Sequence, residues 1–344
     1  MTARNLTRRS ALALAAAGAS SLALGSGSRA QAREKVRFGT NWLAQAEHGG
    51  FYQAVVDGTY ARYGLDVEIV MGGPQTNGRL MLLTGRLDYY MGANMIQSLL
   101  AVKENVPTVV IASIFQKEPQ CLIAHPGQGY ERFLDLKACN NLMLSKQGQE
   151  SFFQWMKAEF GFRDEQVRPY TFNAAPFLAN KKSAMQGYIT SEPYAIEKEA
   201  GFKPKVFLLA DEGFDTYSTT IETRADVVAG KADITQRFVD ASVIGWYNYI
   251  YGDNAAANAA IKAANPDMTD DKIAAGIRLM KEHGIVDSGD SLKVGIGAMT
   301  DARMKSFFDK MVKAGVAPAG LDYARSYTLA FTNKGVGLNL RPRG

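Results

Sequence analysis

The stretch Asn41–Gly50 puts an aromatic ring, Trp42, an acid, Glu47, and a titratable ring, His48, directly ahead of the pair Gly49-Gly50. The pattern that follows, from Phe51 to about Tyr63, has helical periodicity and stops at Gly64. A ring at the open start of a helix offers stacking area. Free backbone N–H groups offer donors, and glycine lets a ligand come close. This chemistry suits non-covalent capture of a small flat polar molecule, with Trp42, His48 and Gly49 as its first candidate contacts.

Covalent and metal chemistry find no support in the residue patterns. The three histidines, His48, His125 and His283, pair with no other histidine, cysteine or carboxylate at metal-ligand spacing. No G-x-S-x-G elbow, P-loop or full dinucleotide glycine set is present, and Gly295-x-Gly297 lacks the third glycine. No resident cofactor, no metal and no catalytic nucleophile are expected. Cys121 and Cys139 either form a disulfide or stay as two buried thiols, and spacing leaves both open.

The elements that must hold these residues alternate in type. Val36–Thr40, Leu65–Met71, Leu87–Met91 and Thr108–Ile114 read as strands, with helices at Phe51–Tyr63, Gln75–Thr84 and Ile96–Lys103 between them. Strands apolar on both faces predict a parallel sheet covered by helices. Cys121–Ala124, Asn141–Ser145, Val167–Phe172, Gly187–Thr190 and Val206–Leu209 read as a second set of strands, with a helix over Ser151–Phe160 and a helix or turn at Lys182–Gln186. From Asp233 the chain is mostly helical, over Asp233–Gly252, Ala255–Ala264, Asp270–Glu282 behind a Thr269 cap, and Asp301–Ala314. The Gly-rich tail from Thr332 reads as loose. The run Trp246-Tyr247-Tyr249-Tyr251, at helical spacing, reads as packing between helices.

Ligands of open parallel sheets bind beyond the carboxyl ends of strands. That rule adds Asn94, after Gly92-Ala93, and Phe115, at the exit from the first set of strands. In the second set it picks Ser145 to Gly148, with Gln147 before a helix, then Phe172-Asn173 and Ser191-Glu192-Pro193-Tyr194. Asn173 is the candidate contact there. Glu192 is either a specific acceptor for an amine or N–H group or a solvated loop acid, and Tyr188 and Tyr194 flank it as stacking rings.

Residues 1–32 stand apart. Arg4, Arg8 and Arg9 precede the mildly apolar run Ala11–Leu24, and Ala30-Gln31-Ala32 offers a small-x-small cleavage site. Thr7-Arg8-Arg9-Ser10 resembles a twin-arginine export motif, with ordinary Sec export as the alternative. The run is too short and too dotted with Gly and Ser for a spanning helix, and no cysteine follows it for lipid attachment. A soluble periplasmic product is expected. The chain has 39 Lys and Arg against 34 Asp and Glu; four of the arginines lie before residue 33, so 35 against 34, or +1, remain. So small an excess gives no argument for a nucleic-acid or membrane-surface binder, and no nucleic-acid partner is expected. The roughly 310 residues that remain exceed one comfortable core, and two lobes are expected.

Asn41-Trp42, His48, Gly50-Phe51-Tyr52-x-Ala54, Gly58 and Tyr63-Gly64-Leu65-Asp66-Val67 together resemble the opening of periplasmic binding proteins for thiamine pyrimidine precursors. The wider nitrate, sulfonate and taurine binder superfamily is resembled at Gly85-x-Leu87-Asp88, Asp135-Leu136-Lys137, Glu192-Pro193-Tyr194 and Gly297-x-Met299-Thr300. The resemblance covers most of the chain after residue 32. It implies a type II periplasmic-binding-protein fold: two α/β lobes around a hinge with a mostly helical C-terminal part. Residues 33–121 and 213–344 would form the first lobe and 122–212 the second. It implies a monomer that closes on a pyrimidine-like or other heterocyclic ligand and serves the permease and ATPase of an ABC importer. A sulfonate-, nitrate- or taurine-type anion binder is the alternative. Eukaryotic relatives make the thiamine pyrimidine, and they use a cysteine-rich iron motif and a sacrificial histidine. Here Gln97 stands nearest that histidine's place and there is no cysteine cluster, so the resemblance does not extend to an enzyme.

Overall fold

The computed structural model describes residues 32–73 and 75–342. The expected export signal lies, apart from Ala32, outside the described residues. Among the described residues, no helix is long and apolar enough to cross a membrane.

Two five-stranded sheets form the frame. The first holds β1 (Glu34–Gly39), β2 (Leu65–Val70), β3 (Tyr89–Asn94), β4 (Thr108–Phe115) and β10 (Ser218–Arg224), in the order β2-β1-β3-β10-β4. The second holds β5 (Gln120–Ala124), β6 (Leu142–Leu144), β7 (Val167–Pro169), β8 (Ala184–Tyr188) and β9 (Lys205–Leu208), in the order β7-β6-β8-β5-β9. The chain crosses from the first sheet to the second after β4 and returns after β9. This is the two-lobed α/β architecture that the resemblance implies.

The first sheet is mixed, not parallel. β1 pairs parallel with β2 and β3, but β10 runs antiparallel between β3 and β4. Sequence patterning missed β10 because its residues, STTIETR, are mostly polar, yet all but the last are buried. Glu222 within it is fully buried and holds Arg79 through both carboxylate oxygens at 2.9 and 2.8 Å. A polar central strand survives burial when its polar groups find partners.

Other elements also shift. The helix expected over Phe51–Tyr63 is two, Gly49–Val56 and Thr59–Arg62. Between them Gly58 takes a φ of 73°, and Asp57 Oδ1 accepts from both the Thr59 N–H and its hydroxyl. Residues 184–188, expected partly as a turn, are strand β8. Ser191-Glu192-Pro193-Tyr194 is not a loop: Glu192 opens the helix Glu192–Ala200, with Pro193 in the first turn, where its missing N–H costs nothing. The helices Ala255–Ala264 and Asp270–Glu282 match their expected spans, and the Thr269 side chain accepts from the Lys272 N–H.

The long helix Ala232–Tyr251 packs the first lobe. Trp246, Tyr247 and Tyr249 are fully buried in it. The tail is tied down rather than loose: Arg341 pairs with the buried Asp287 at 2.6 Å and bonds the Ser291 carbonyl. Cys121 and Cys139 are free, buried thiols in different core clusters.

Candidate functional site

A cavity of about 330 Å³ lies between the carboxyl ends of β1 and β3 on one side and β6, β7 and β8 on the other. Each strand therefore delivers its following residues to the same place: Asn41 and Trp42 after β1, Ser145 after β6, Tyr170 and Phe172 after β7. The sheet geometry alone dictates this convergence.

Of the candidate contacts, Trp42, His48, Asn94, Ser145, Gln147, Tyr188 and Glu192 all line this cavity. Trp42 and Phe172 meet across it, with ring centroids 4.9 Å apart and planes tilted by 51°. Phe172 also touches Tyr170 at 5.4 Å. Phe172 has a φ of 61°, a strained conformation for a bulky side chain, and is half exposed at the cavity mouth.

Four candidates do not line it. Gly49 is buried under the Tyr249 ring: a Cβ there would lie 2.0 Å from that ring. Gly50 is likewise blocked at 2.2 Å by Trp246. The glycine pair thus exists for helix packing, not for ligand approach. Phe115 is fully buried, edge-on to Trp246 at 5.6 Å, because its place on β4 turns it into the first-lobe core. Asn173 uses its side-chain oxygen to accept the Ala175 N–H at 2.9 Å, a turn-capping role, while its neighbour Phe172 faces the cavity. Tyr194, one turn into its helix, donates its hydroxyl to Asp271 at 2.9 Å on the exposed surface.

His48 is almost completely buried, and burial depresses its pKa from 6.5 to about 3, so the ring is neutral. Its Nδ1 accepts the Gln45 N–H at 3.3 Å. That bond assigns the proton to Nε2, which leaves a donor on the cavity wall.

Three carboxyls that face the cavity set its electrostatics. Glu47 is pushed up to about 7, chiefly by desolvation, and accepts a hydrogen bond from the Thr190 hydroxyl of the other lobe. Glu118, in the crossover after β4, is also raised to about 7 by desolvation; Asn94 Nδ2 donates to it at 3.0 Å. Glu192 is raised by desolvation too, and its Oε2 accepts the Tyr188 N–H at 2.7 Å. Against these three acids, the lining contains no Lys and no Arg. Asn94 is largely committed, since its Oδ1 also accepts the Ile96 N–H; it positions Glu118. Ser145 caps the turn at Gly148, and Gln186 Oε1 accepts the Ser145 N–H at 2.7 Å.

Sequence reasoning did not single out Glu118, Tyr170 or Gln186. An acid beside a proline between two sets of strands was the available signal for Glu118. Tyr170 and Gln186 carried none. Gln97, weighed only as the residue nearest a missing histidine, lines the cavity and accepts the Ala93 N–H at 3.3 Å. Among the described residues, no group of three or more His, Cys, Asp or Glu could hold a metal ion.

Solved structures share this fold at low identity. The putative periplasmic sulfonate-binding protein of an ABC transporter from Methylobacillus flagellatus KT is 13% identical, with a TM-score of 0.60 over 87% of this chain and 93% of that one. The periplasmic nitrate-binding protein of Synechocystis PCC 6803 is 14% identical, with a TM-score of 0.58 over 87% of each chain. A desulfurization enzyme is 13% identical, with a TM-score of 0.56 over 87% of this chain and 97% of that one. No curated protein sequence matches this chain. A family model described as NMT1/THI5 like matches residues 45–256, more than half of the chain and nearly all of the cavity wall. The chain belongs to the NMT1/THI5-like family.

Proposed function

We propose that this protein is the periplasmic substrate-binding component of an ABC importer, and that it captures a small planar nitrogen heterocycle between its two lobes. The observation that carries the reading is the cavity wall. It joins aromatic faces from both lobes, a neutral histidine donor and three carboxyls, and has no cation. Aromatic faces favour a flat ring. Each buried carboxyl has a donor from the protein and keeps further acceptor capacity for donors on the ligand. A ring carrying an amino group and an acceptor nitrogen meets both demands, with N–H groups toward Glu118 and Glu192 and the acceptor toward His48. Trp42 and Phe172 stack on it.

A second reading, a sulfonate- or nitrate-type anion binder, takes its support from what the similar solved structures are named for. The wall argues against it, since an anion favours Arg, Lys or several N–H donors. No nucleophile with an adjacent base lies on the wall, which favours a binder over an enzyme.

Native mass spectrometry of protein purified from the periplasm tests the assignment directly, by identifying the molecule that travels with it. Titration calorimetry with 4-aminopyrimidine, taurine and nitrate supplies the comparison. Binding of the aminopyrimidine alone is expected. Tighter binding of taurine or nitrate replaces the first reading with the second.

A further inference from the structure

The chain passes between its sheets twice, through Gln116–Pro119 after β4 and through Leu209–Tyr217 before β10. One side chain holds both passages. Arg303, in the first turn of the helix Asp301–Lys313, donates Nε to the Asp215 carbonyl at 3.0 Å. Its second terminal nitrogen donates to the Gln116 carbonyl, on the outgoing passage, and reaches the Thr216 carbonyl at 3.5 Å. The guanidinium plane lies 4.1 Å from the centroid of the Tyr217 ring. Tyr217 is fixed in turn, donating its hydroxyl to Asp290 at 2.6 Å and accepting the Thr300 N–H at 2.9 Å.

Backbone carbonyls of two separate crossovers can meet one rigid, planar donor fork only in one relative arrangement. Rotation of the lobes must change backbone angles within these same passages, since no other segment joins the sheets. The outgoing passage is itself held in place: Gln116 is buried, and its amide nitrogen bonds the Ser113 and Ala298 carbonyls.

We propose that Arg303 is the hinge pin of this protein: it favours the arrangement of the lobes seen here, closed enough that Thr190 meets Glu47 and Phe172 meets Trp42, and thereby sets ligand affinity from outside the cavity. This rests on the reading of the protein as a binder that closes on its ligand. Arg303 is a positioning residue and does not line the cavity. Lys310, on the same helix, supplies the internal contrast. It bonds the Gly213 carbonyl and pairs with Asp215 at 2.6 Å, touching the return passage alone.

The test is a distance measurement on the full chain without ligand. Spin labels at Glu68→Cys on β2 and Arg168→Cys on β7 report the separation of the lobes; both native cysteines are buried and escape labelling. In the Arg303→Met background the ratio of open to closed molecules is expected to rise about tenfold, the scale of lost charge-assisted hydrogen bonds. Arg303→Lys should fall between Met and the native protein. Lys310→Met should leave the distribution unchanged even where it lowers the melting temperature. Equal distributions in native and Arg303→Met protein, with only the melting temperature reduced, reduce Arg303 to a structural staple and overturn the proposal. That result leaves the binding reading intact, because the binding reading is decided separately by the co-purified molecule and by calorimetry. Should Arg303→Met not fold, the Lys variant decides: a native distribution in it overturns the proposal and an intermediate one supports it.

Discussion

Trp42 and Phe172 come from different lobes, yet their ring centroids stand 4.9 Å apart at the mouth of the cavity. Trp42 is only partly buried and contributes little to the core. Replacing it with alanine should therefore weaken ligand binding by about 1.4–2.8 kcal/mol, ten- to a hundredfold, with the melting temperature nearly unchanged. Calorimetry with the co-purified ligand, beside a thermal melt, checks both halves. An unchanged affinity would remove Trp42 from the site.

The same logic predicts a strong structural effect at a glycine. A Cβ on Gly245 would lie 2.4 Å from the Gly50 carbonyl oxygen and 2.6 Å from the Ala54 Cβ. The helices Gly49–Val56 and Ala232–Tyr251 have no room to separate without unseating Trp246. Gly245→Ala should cost about 2–4 kcal/mol, read in a denaturant melt. A loss below about 0.5 kcal/mol would mean that the two helices are not so closely seated.

The buried acids predict an unusual dependence of stability on pH. Glu47 and Glu118 titrate near 7 in the folded chain against 4.5 for the unperturbed group. The folded state thus holds more protons than the unfolded state between those values, and stability falls as pH rises through about 7. His48, depressed from 6.5 to about 3, acts oppositely. Its contribution is present above 6.5 and is lost as pH falls toward 3. From about pH 5 to 7 the two acids outweigh the one histidine, so the melting temperature of ligand-free protein should decline. Glu118→Gln removes one of the acids and keeps an oxygen for Asn94. It should flatten that decline and gain about 2 kcal/mol at pH 8 relative to pH 5. A variant as pH-sensitive as the native protein would show that Glu118 does not titrate in this range.

Cys121 and Cys139 are buried without a bridge between them. Both thiols should react with a thiol reagent only after denaturation, and a reductant should leave the melting temperature where it was. Rapid labelling of the native protein, or a fall in melting temperature on reduction, would contradict that arrangement.

Local sequence determined a good deal about this protein. The second apolar run after Leu65 and the helices at 255–264 and 270–282 could be read directly, because periodicity and capping act over a few residues. Local sequence also offered Trp42, His48, Ser145, Tyr188 and Glu192 as candidates, but that the candidates of the two sheets face one cavity was not readable locally. Tertiary structure decided the rest. β10 is a polar sequence that becomes a central strand with Arg79 pairing its buried Glu222 and neighbouring carbonyls taking the Ser218 and Thr223 hydroxyls. Gly49 and Gly50 signalled ligand approach, but contact with Tyr249 and Trp246, some two hundred residues away, explains them. Phe115 and Phe172 are both aromatic residues near strand ends. Only the facing of β4 and the strained backbone at Phe172 send one into the core and the other to the cavity. Arg303 had no local signal at all, because its role exists only where two distant crossovers and one helix come together.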